Sequence, residues 1–329
     1  MKKRNNELTP LAKKSFWVRL REEKYLQVMA LLGIVWMLIF NYIPMYGILI
    51  AFKKNFFVTT PLFSKKFFST PWAADGGFQH FIAFFKDEEF VNIMVNTLGI
   101  SILKLIFNFT LPIIFALLLN EVKNMRFKKV IQTITYMPHF LSWVVLGGIL
   151  TTWLGDGGLF NELLIKFGII DKSVSFLAYP EYFWGITVIS DLWKELGWSA
   201  IIYLAAIAGI DQEQYEAAEI DGASRWNKMI HITIPSIMPT IIIMFILATG
   251  NIMTKGFHQV FSMNNDAVNN VAQTLDMYIY KMTFNSRVTD FGYSTALSMF
   301  RSVVNLLFLV AANAISKKAG GTGLMGGND

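Results

Sequence analysis

Six stretches of the chain are apolar for long enough to cross about 30 Å of hydrocarbon, which takes roughly 20 residues in a helix. They run from about 25–52, 93–119, 130–154, 182–210, 236–261 and 291–315, and polar connections separate them. The first carries no charge, the second holds Lys104, and the fourth holds Asp191, Lys194 and Glu195. The pattern predicts an all-α integral membrane protein with six transmembrane helices. It divides into a basic segment 1–24, a first span, a long loop 53–92, a five-helix core 93–315 and a flexible tail 316–329. The first run is longer than the roughly 7–15-residue core of a signal peptide and no A-x-A-like site comes after it, so it reads as a retained anchor. Pro112 and Pro138 are expected to kink their spans.

An even number of spans puts both termini on one side. That side, taken as 1–24, 120–129, 210–235 and 316–329, carries sixteen Lys and Arg against nine in the opposite loops. By the positive-inside rule the termini face the cytoplasm. One connection on that side, EAAEIDGASRWNKMIHITIP over residues 216–235, is polar and acidic between two apolar runs. Residues 210–235 hold five acids, Asp211, Glu213, Glu216, Glu219 and Asp221, against Arg225 and Lys228. Helices that rest on lipid are usually rich in Lys and Arg, so the acidity points to a basic protein partner instead. Asp211 with Gln214 three residues later has the form of a capping box. Gly222 can take the left-handed conformation that ends a helix, and Ser224 can cap a second short helix carrying Trp226, Met229 and Ile230. Ala217 and Ala218 allow close approach to the backbone, and Pro235 and Pro239 open the fifth span.

Only 16% of residues are charged, against roughly 25% in an average soluble domain, which agrees with a membrane protein. Cysteine is absent, so disulfides and thiolate sites are excluded. The histidines, His80, His139, His231 and His258, show no H-E-x-x-H spacing, so no metal site is expected. The net charge of +6 comes from bases beside apolar runs rather than from a recognition helix, so nucleic acid is not expected as a partner. The tail match to G-x-G-x-x-G, Gly321 to Gly326, lacks the strand and helix that a dinucleotide site needs. No G-x-x-x-x-G-K-[ST] occurs, so the chain carries no ATPase site of this kind.

The residues Glu216-Ala217-Ala218, Asp221-Gly222-Ala223 and Ile232-Thr233-Ile234-Pro235 resemble the EAA loop of inner-membrane permeases of binding-protein-dependent ABC importers. Ile234 stands where that family usually has Leu, and Met229 where it often has Phe. FNYIPMYGILIAF (40–52), ALLLNEV (116–122), QTITYMPHFLSWVV (132–145) and IIYLAAIAGIDQEQYEAAEIDGASRW (201–226) resemble its branch for polysaccharide, aldouronate or complex-oligosaccharide uptake. The resemblance implies a type I importer permease fold in a bacterial cell membrane. It also implies a coupling loop, built from Tyr215, Glu216, Ala217, Ala218, Asp221, Gly222, Ala223, Trp226, Met229, Ile232, Ile234 and Pro235, that docks on a cytosolic ATPase. The implied partners are a second, different permease, two ATPase subunits that bind ATP and Mg, an extracytoplasmic sugar-binding protein, membrane lipid and a carbohydrate. No cofactor is expected on this chain itself.

Charges at membrane depth are expensive and mark pathways or relays, yet the spacing of Asp191, Lys194 and Glu195 also permits pairing along one helix face. Lys104 is a possible partner across the bundle, and both readings stay open. A sugar path needs aromatics and amides, and Trp143, Trp153, Trp193, Trp198, Tyr203 and Asn251 are available alongside Asp191 and Lys194. A secondary transporter would show two related halves, and none is found. A permease for a non-sugar solute, a membrane enzyme and a bare scaffold are the other readings, and the scaffold leaves the acidic loop unexplained.

Overall fold

The computed structural model describes residues 22–54, 64–285 and 290–318. Most of the basic segment 1–24, part of the loop 53–92 and the glycine-containing end of the tail lie outside the described residues. Among the described residues the chain is helical without strands, and one isolated bridge joins Lys53 to Trp72. The principal helices are α1 (Lys24–Phe52), α2 (Phe90–Asn120), α3 (Met125–Tyr136), α4 (Trp143–Leu154), α5 (Pro180–Ala208), α6 (Gln212–Ile220), α7 (Arg225–Thr249), α8 (Phe257–Met263), α9 (Leu275–Tyr280) and α10 (Phe291–Lys318).

Five stretches are long and apolar enough to span a membrane: α1, α2, Trp143–Lys166, α7 and α10. The fourth expected span is α5, a sixth long helix of 29 residues whose charges set its composition apart. Two expected boundaries change. The third span does not run unbroken over 130–154, because Pro138 opens a short 3-10 turn, Met137–Phe140, and Ser142 caps a new helix by accepting from the Val145 amide. The fifth ends at Thr249, and residues 250–256 form turns before α8. Pro112, by contrast, does not interrupt α2.

Prolines also explain two wide turns. A π turn over Leu38–Tyr42 ends two residues before Pro44, and another over Met229–Thr233 ends two residues before Pro235. A proline has no amide proton and its ring presses on the carbonyl four residues earlier, so one looser turn ahead of it relieves the clash.

Helices α2 and α5 run parallel and make the most extensive helix–helix contact among the described residues. Small residues let the helices close in. At Gly99 of α2, a Cβ would stand 2.4 Å from the Trp184 ring of α5, and at Gly197 of α5 it would stand 2.4 Å from the Thr135 carbonyl oxygen of α3. Helix α10 crosses α7 in the opposite direction, and Asn305 accepts from the Met253 amide at 2.9 Å.

Three apolar clusters fill the bundle. The first joins Leu146 and Leu150 of α4 to Phe183, Val260 and Val268. The second joins Ile93 of α2 to Ile252, Leu275 and Leu297. The third joins Ala116 and Leu117 of α2 to Ala200, Tyr203 and Ile207 of α5 and Ile237 of α7, and Tyr215, Met229, Ile232 and Ile234 pack on it. Much of the remaining apolar surface, including every residue of Lys24–Met37, is unburied in the single chain. In water that would be untenable; against lipid or another apolar helix it costs nothing.

Candidate functional site: the glycine turn and the cavity between the spans

The acidic stretch folds much as its residue types dictate. The Asp211 carboxylate accepts from the Glu213 amide at 3.0 Å and starts α6. Gln214 adds no side-chain bond to complete a capping box; its backbone amide reaches the Asp211 carbonyl at 3.3 Å. The chain reverses at Gly222 with φ +75°, where no other atom lies within 4 Å of a built Cβ. Ser224 then accepts from the Asn227 amide at 3.2 Å. The second helix of the stretch does not stand alone as a short element: Arg225 begins α7, which runs through the π turn into the fifth span. The turn and the span are therefore one mechanical piece.

Two contacts clamp α6 to the first turns of α7. The Tyr215 and Thr233 hydroxyls meet at 2.8 Å, and Lys228 Nζ donates to Glu219 Oε2 at 2.9 Å. The hydrogen bond from Lys228, and then its charge, hold the Glu219 carboxyl below the usual range. Beneath them Tyr215 and Met229 seat in the third apolar cluster. Above, Ile220 and Trp226 stand 87% and 65% exposed. Glu216, Ala217, Asp221 and Pro235 are exposed too, while Ala218, Ala223, Ile232 and Ile234 are half-buried. Ala218, Ala223, Asn227, Lys228, His231 and Ile232 line a shallow recess of about 220 Å³. Among the described residues Glu216 has no ion-pair partner.

The charges of α5 lie in two separate clusters. Asp191 does not pair with Lys194, as its spacing allowed. Its Oδ2 accepts from Asn108 Nδ2 at 2.5 Å, and its Oδ1 lies 3.5 Å from Lys104 Nζ. Lys104 is buried and also donates to Gln259 Oε1 at 2.5 Å; Gln259 in turn donates to the Thr187 carbonyl and the Ser190 hydroxyl. The second cluster ties Lys194 to Glu195 Oε1 at 3.0 Å and to the His139 carbonyl at 2.5 Å. His139 Nδ1 meets Glu195 Oε2 at 2.7 Å, and its ring stacks on Trp198 with centroids 4.2 Å apart.

Between α2, α5 and α7 opens a cavity of about 280 Å³. Its lining includes Asn108, Trp198, Tyr203 and Lys255. Of the aromatics singled out in the sequence, only Trp198 and Tyr203 reach it. Trp143 packs against the first apolar cluster, Trp153 stands against Phe160, and Trp193 is an exposed face of α5. Asn251 turns its amide back to the Leu247 carbonyl at 3.0 Å. Asn108, Gln259 and Lys255 were missed, although each is a polar residue in or beside an apolar run. Pro112 bears on the same place: its missing amide proton leaves the Asn108 carbonyl without a helical donor, which a membrane helix tolerates best beside a cavity or a neighbour.

Residues 108–320 match the family described as binding-protein-dependent transport system inner membrane component. The chain belongs to this family. As a member of the transport-system family it is a multi-pass membrane component, and its relatives extend the match beyond the core. It is 39% identical over 325 residues to Protein LplB of Bacillus subtilis (strain 168), covering 98% of each chain. It is 39% identical over 313 residues to the polygalacturonan/rhamnogalacturonan transport system permease protein YteP of the same organism, covering 95% of this chain and 94% of that one. A chain of a bacterial ABC transporter involved in import of the acidic polysaccharide alginate superposes with a TM-score of 0.81 at 35% identity, over 93% of this chain and 99% of that one. The alginate transporter solved with an alginate pentasaccharide-bound periplasmic protein superposes with a TM-score of 0.82. The fold is that of a type I importer permease.

Proposed function

We propose that this chain is one membrane half of an ATP-driven importer that passes an oligosaccharide from an extracytoplasmic binding protein to the cytoplasm. The observation that carries the reading is the glycine turn. It presents an acidic, partly apolar surface with Ile220 and Trp226 unburied and Glu216 unpaired, yet its other face is clamped to the fifth span. A basic cleft of a cytosolic ATPase subunit fits that surface by charge and by area left uncovered. The termini then face the cytoplasm, in line with the excess of Lys and Arg on that side.

Displacing α6 moves Tyr215 and, through its clamp to α7, Met229, and both pack with Ala200 and Tyr203; Tyr203 also lines the cavity. Closure of two ATPase subunits on ATP and Mg thus reaches the cavity through packed side chains. ATP acts by binding one of two arrangements of the bundle more tightly than the other. The sugar assignment draws on relatives that carry polygalacturonan, rhamnogalacturonan and alginate, and on the aromatic and amide lining. A second, different permease completes the path, and lipid covers the remaining apolar surface.

The test is a pull-down of the assembled complex from detergent-solubilised membranes, comparing the intact chain with Gly222→Trp and Glu216→Lys. Loss of the ATPase subunit from both variants, with the second permease retained, is the expected result. Equal retention of the ATPase by all three proteins would withdraw the docking role.

A further inference from the structure

The segments that bound the cavity between the spans carry three lysines and two carboxylates, of which Lys255 lines it, and pairing among the described residues leaves that one cation over. Lys104 is bound by Asp191 and Gln259, and Lys194 by Glu195 and the His139 carbonyl. Asp191 also holds Asn108. Lys255 belongs to the turns between α7 and α8 and lines the cavity with Asn108, Trp198 and Tyr203. Among the described residues it makes no hydrogen bond and no ion pair. The charge of Asp191 reaches it, but that carboxylate is already committed.

Lys255 is exposed in the single chain, so its ammonium is open to the cavity rather than held by the packing of the turn. The same lining holds a second unsatisfied group: Asn108 Oδ1 has no hydrogen-bond partner. A free cation, an unused acceptor and the faces of Trp198 and Tyr203 together make a complement to a sugar ring that bears both hydroxyls and a carboxylate. Lysine serves here as a point charge that swings on its stem to follow a moving anion, where a fixed arginine fork would hold it.

We propose that Lys255 reads the carboxylate of the transported sugar, so that the cavity takes uronate-bearing oligosaccharides in preference to neutral ones. The inference rests on the cavity being part of the sugar path and adds the charge class of the sugar. Lys255 is then a specificity-determining residue. It carries no fold-stabilising pair whose loss would confuse the result.

The experiment measures binding of trigalacturonate and of its fully methyl-esterified form to the purified permease and ATPase complex, without the binding protein, by quenching of tryptophan fluorescence. The two probes share rings and linkages and differ in charge. The wild-type complex is expected to prefer the acid at least about tenfold, the scale of a partly desolvated charge pair. Lys255→Gln is expected to bring the two affinities together, and Lys255→Arg to keep the preference. If Trp198→Ala weakens both probes while Lys255→Gln leaves the preference intact, the charge assignment falls and the path reading survives. If Trp198→Ala leaves both probes bound as before, the cavity is not the sugar path and both readings fall. A wild-type complex that binds both forms equally, or neither, also overturns the proposal.

Discussion

Replacing Lys104 by Met leaves the side-chain stem in place and removes only the ammonium, so the variant isolates the charge. Lys104 is 2% exposed and Asp191 19%, and their charged atoms stand 3.5 Å apart. At an effective dielectric constant of 20 that attraction is about 5 kcal/mol, before the cost of desolvating the two groups. The variant strands the Asp191 carboxylate and removes the donor from Gln259 Oε1. Breaking a buried pair from one side costs roughly 3–5 kcal/mol, because an uncompensated charge stays inside. Asp191→Asn on the same background removes that charge, and the double variant is expected to recover most of the loss. In a thermal-unfolding measurement on detergent-purified protein, each kcal/mol moves the midpoint by roughly 2 °C for a chain of this size. Lys104→Met should therefore fall by about 6–10 °C and the double variant by less than half of that. A double variant as unstable as the sum of the two single variants would refute the reasoning, since it would mean that the two groups do not act on each other.

Gly197→Ala places a Cβ against the Thr135 carbonyl, whose backbone cannot step aside, and is expected to cost about 1–3 kcal/mol, read as a lowered unfolding midpoint; unchanged stability would mean that α3 and α5 do not approach closely. Glu219 is held below the usual glutamate range by Lys228, so the stability that this contact adds is fully present above the unfolded-state pKa of about 4.3 and is lost as pH falls through the lower folded-state value. Carbon-13 labelling of the glutamate carboxyls in nanodiscs should show Glu219 titrating below the usual glutamate value, and Lys228→Gln should raise it; a shift that survives the substitution would assign the effect to another group.

Much of the helical plan is local and was therefore legible in the chain. Apolar length placed the spans, Asp211 and Ser224 marked their helix starts, and Gly222 marked the reversal, because each acts through its own backbone within a turn. Proline was legible as a symbol, but its spacing does not say whether a helix is interrupted: Pro138 breaks a span, while the helix runs on past Pro112. The second helix of the acidic stretch looked separate because Pro235 and Pro239 suggested a fresh start, yet the π turn absorbs the first of them and carries the helix through.

The candidate sites divide along the same line. Twelve residues of the glycine turn lie within 21 positions of each other, so their order in the chain sets their geometry. The cavity joins Asn108, Trp198, Tyr203 and Lys255 across two helices and the turns after α7, and no local rule ranks Trp198 above Trp193 or Trp143. By itself the sequence determined a multi-span helical membrane protein with an acidic turn between two spans, through hydrophobic length, helix caps and one left-handed glycine. Only the tertiary structure decided which charge meets which. Asp191 takes Lys104 from α2 rather than Lys194 from its own helix, and Lys255 has no ion-pair partner among the described residues. Charge pairing at membrane depth depends on distances of a few ångströms between helices far apart in the chain, and the close approach of α2 and α5 sets those distances.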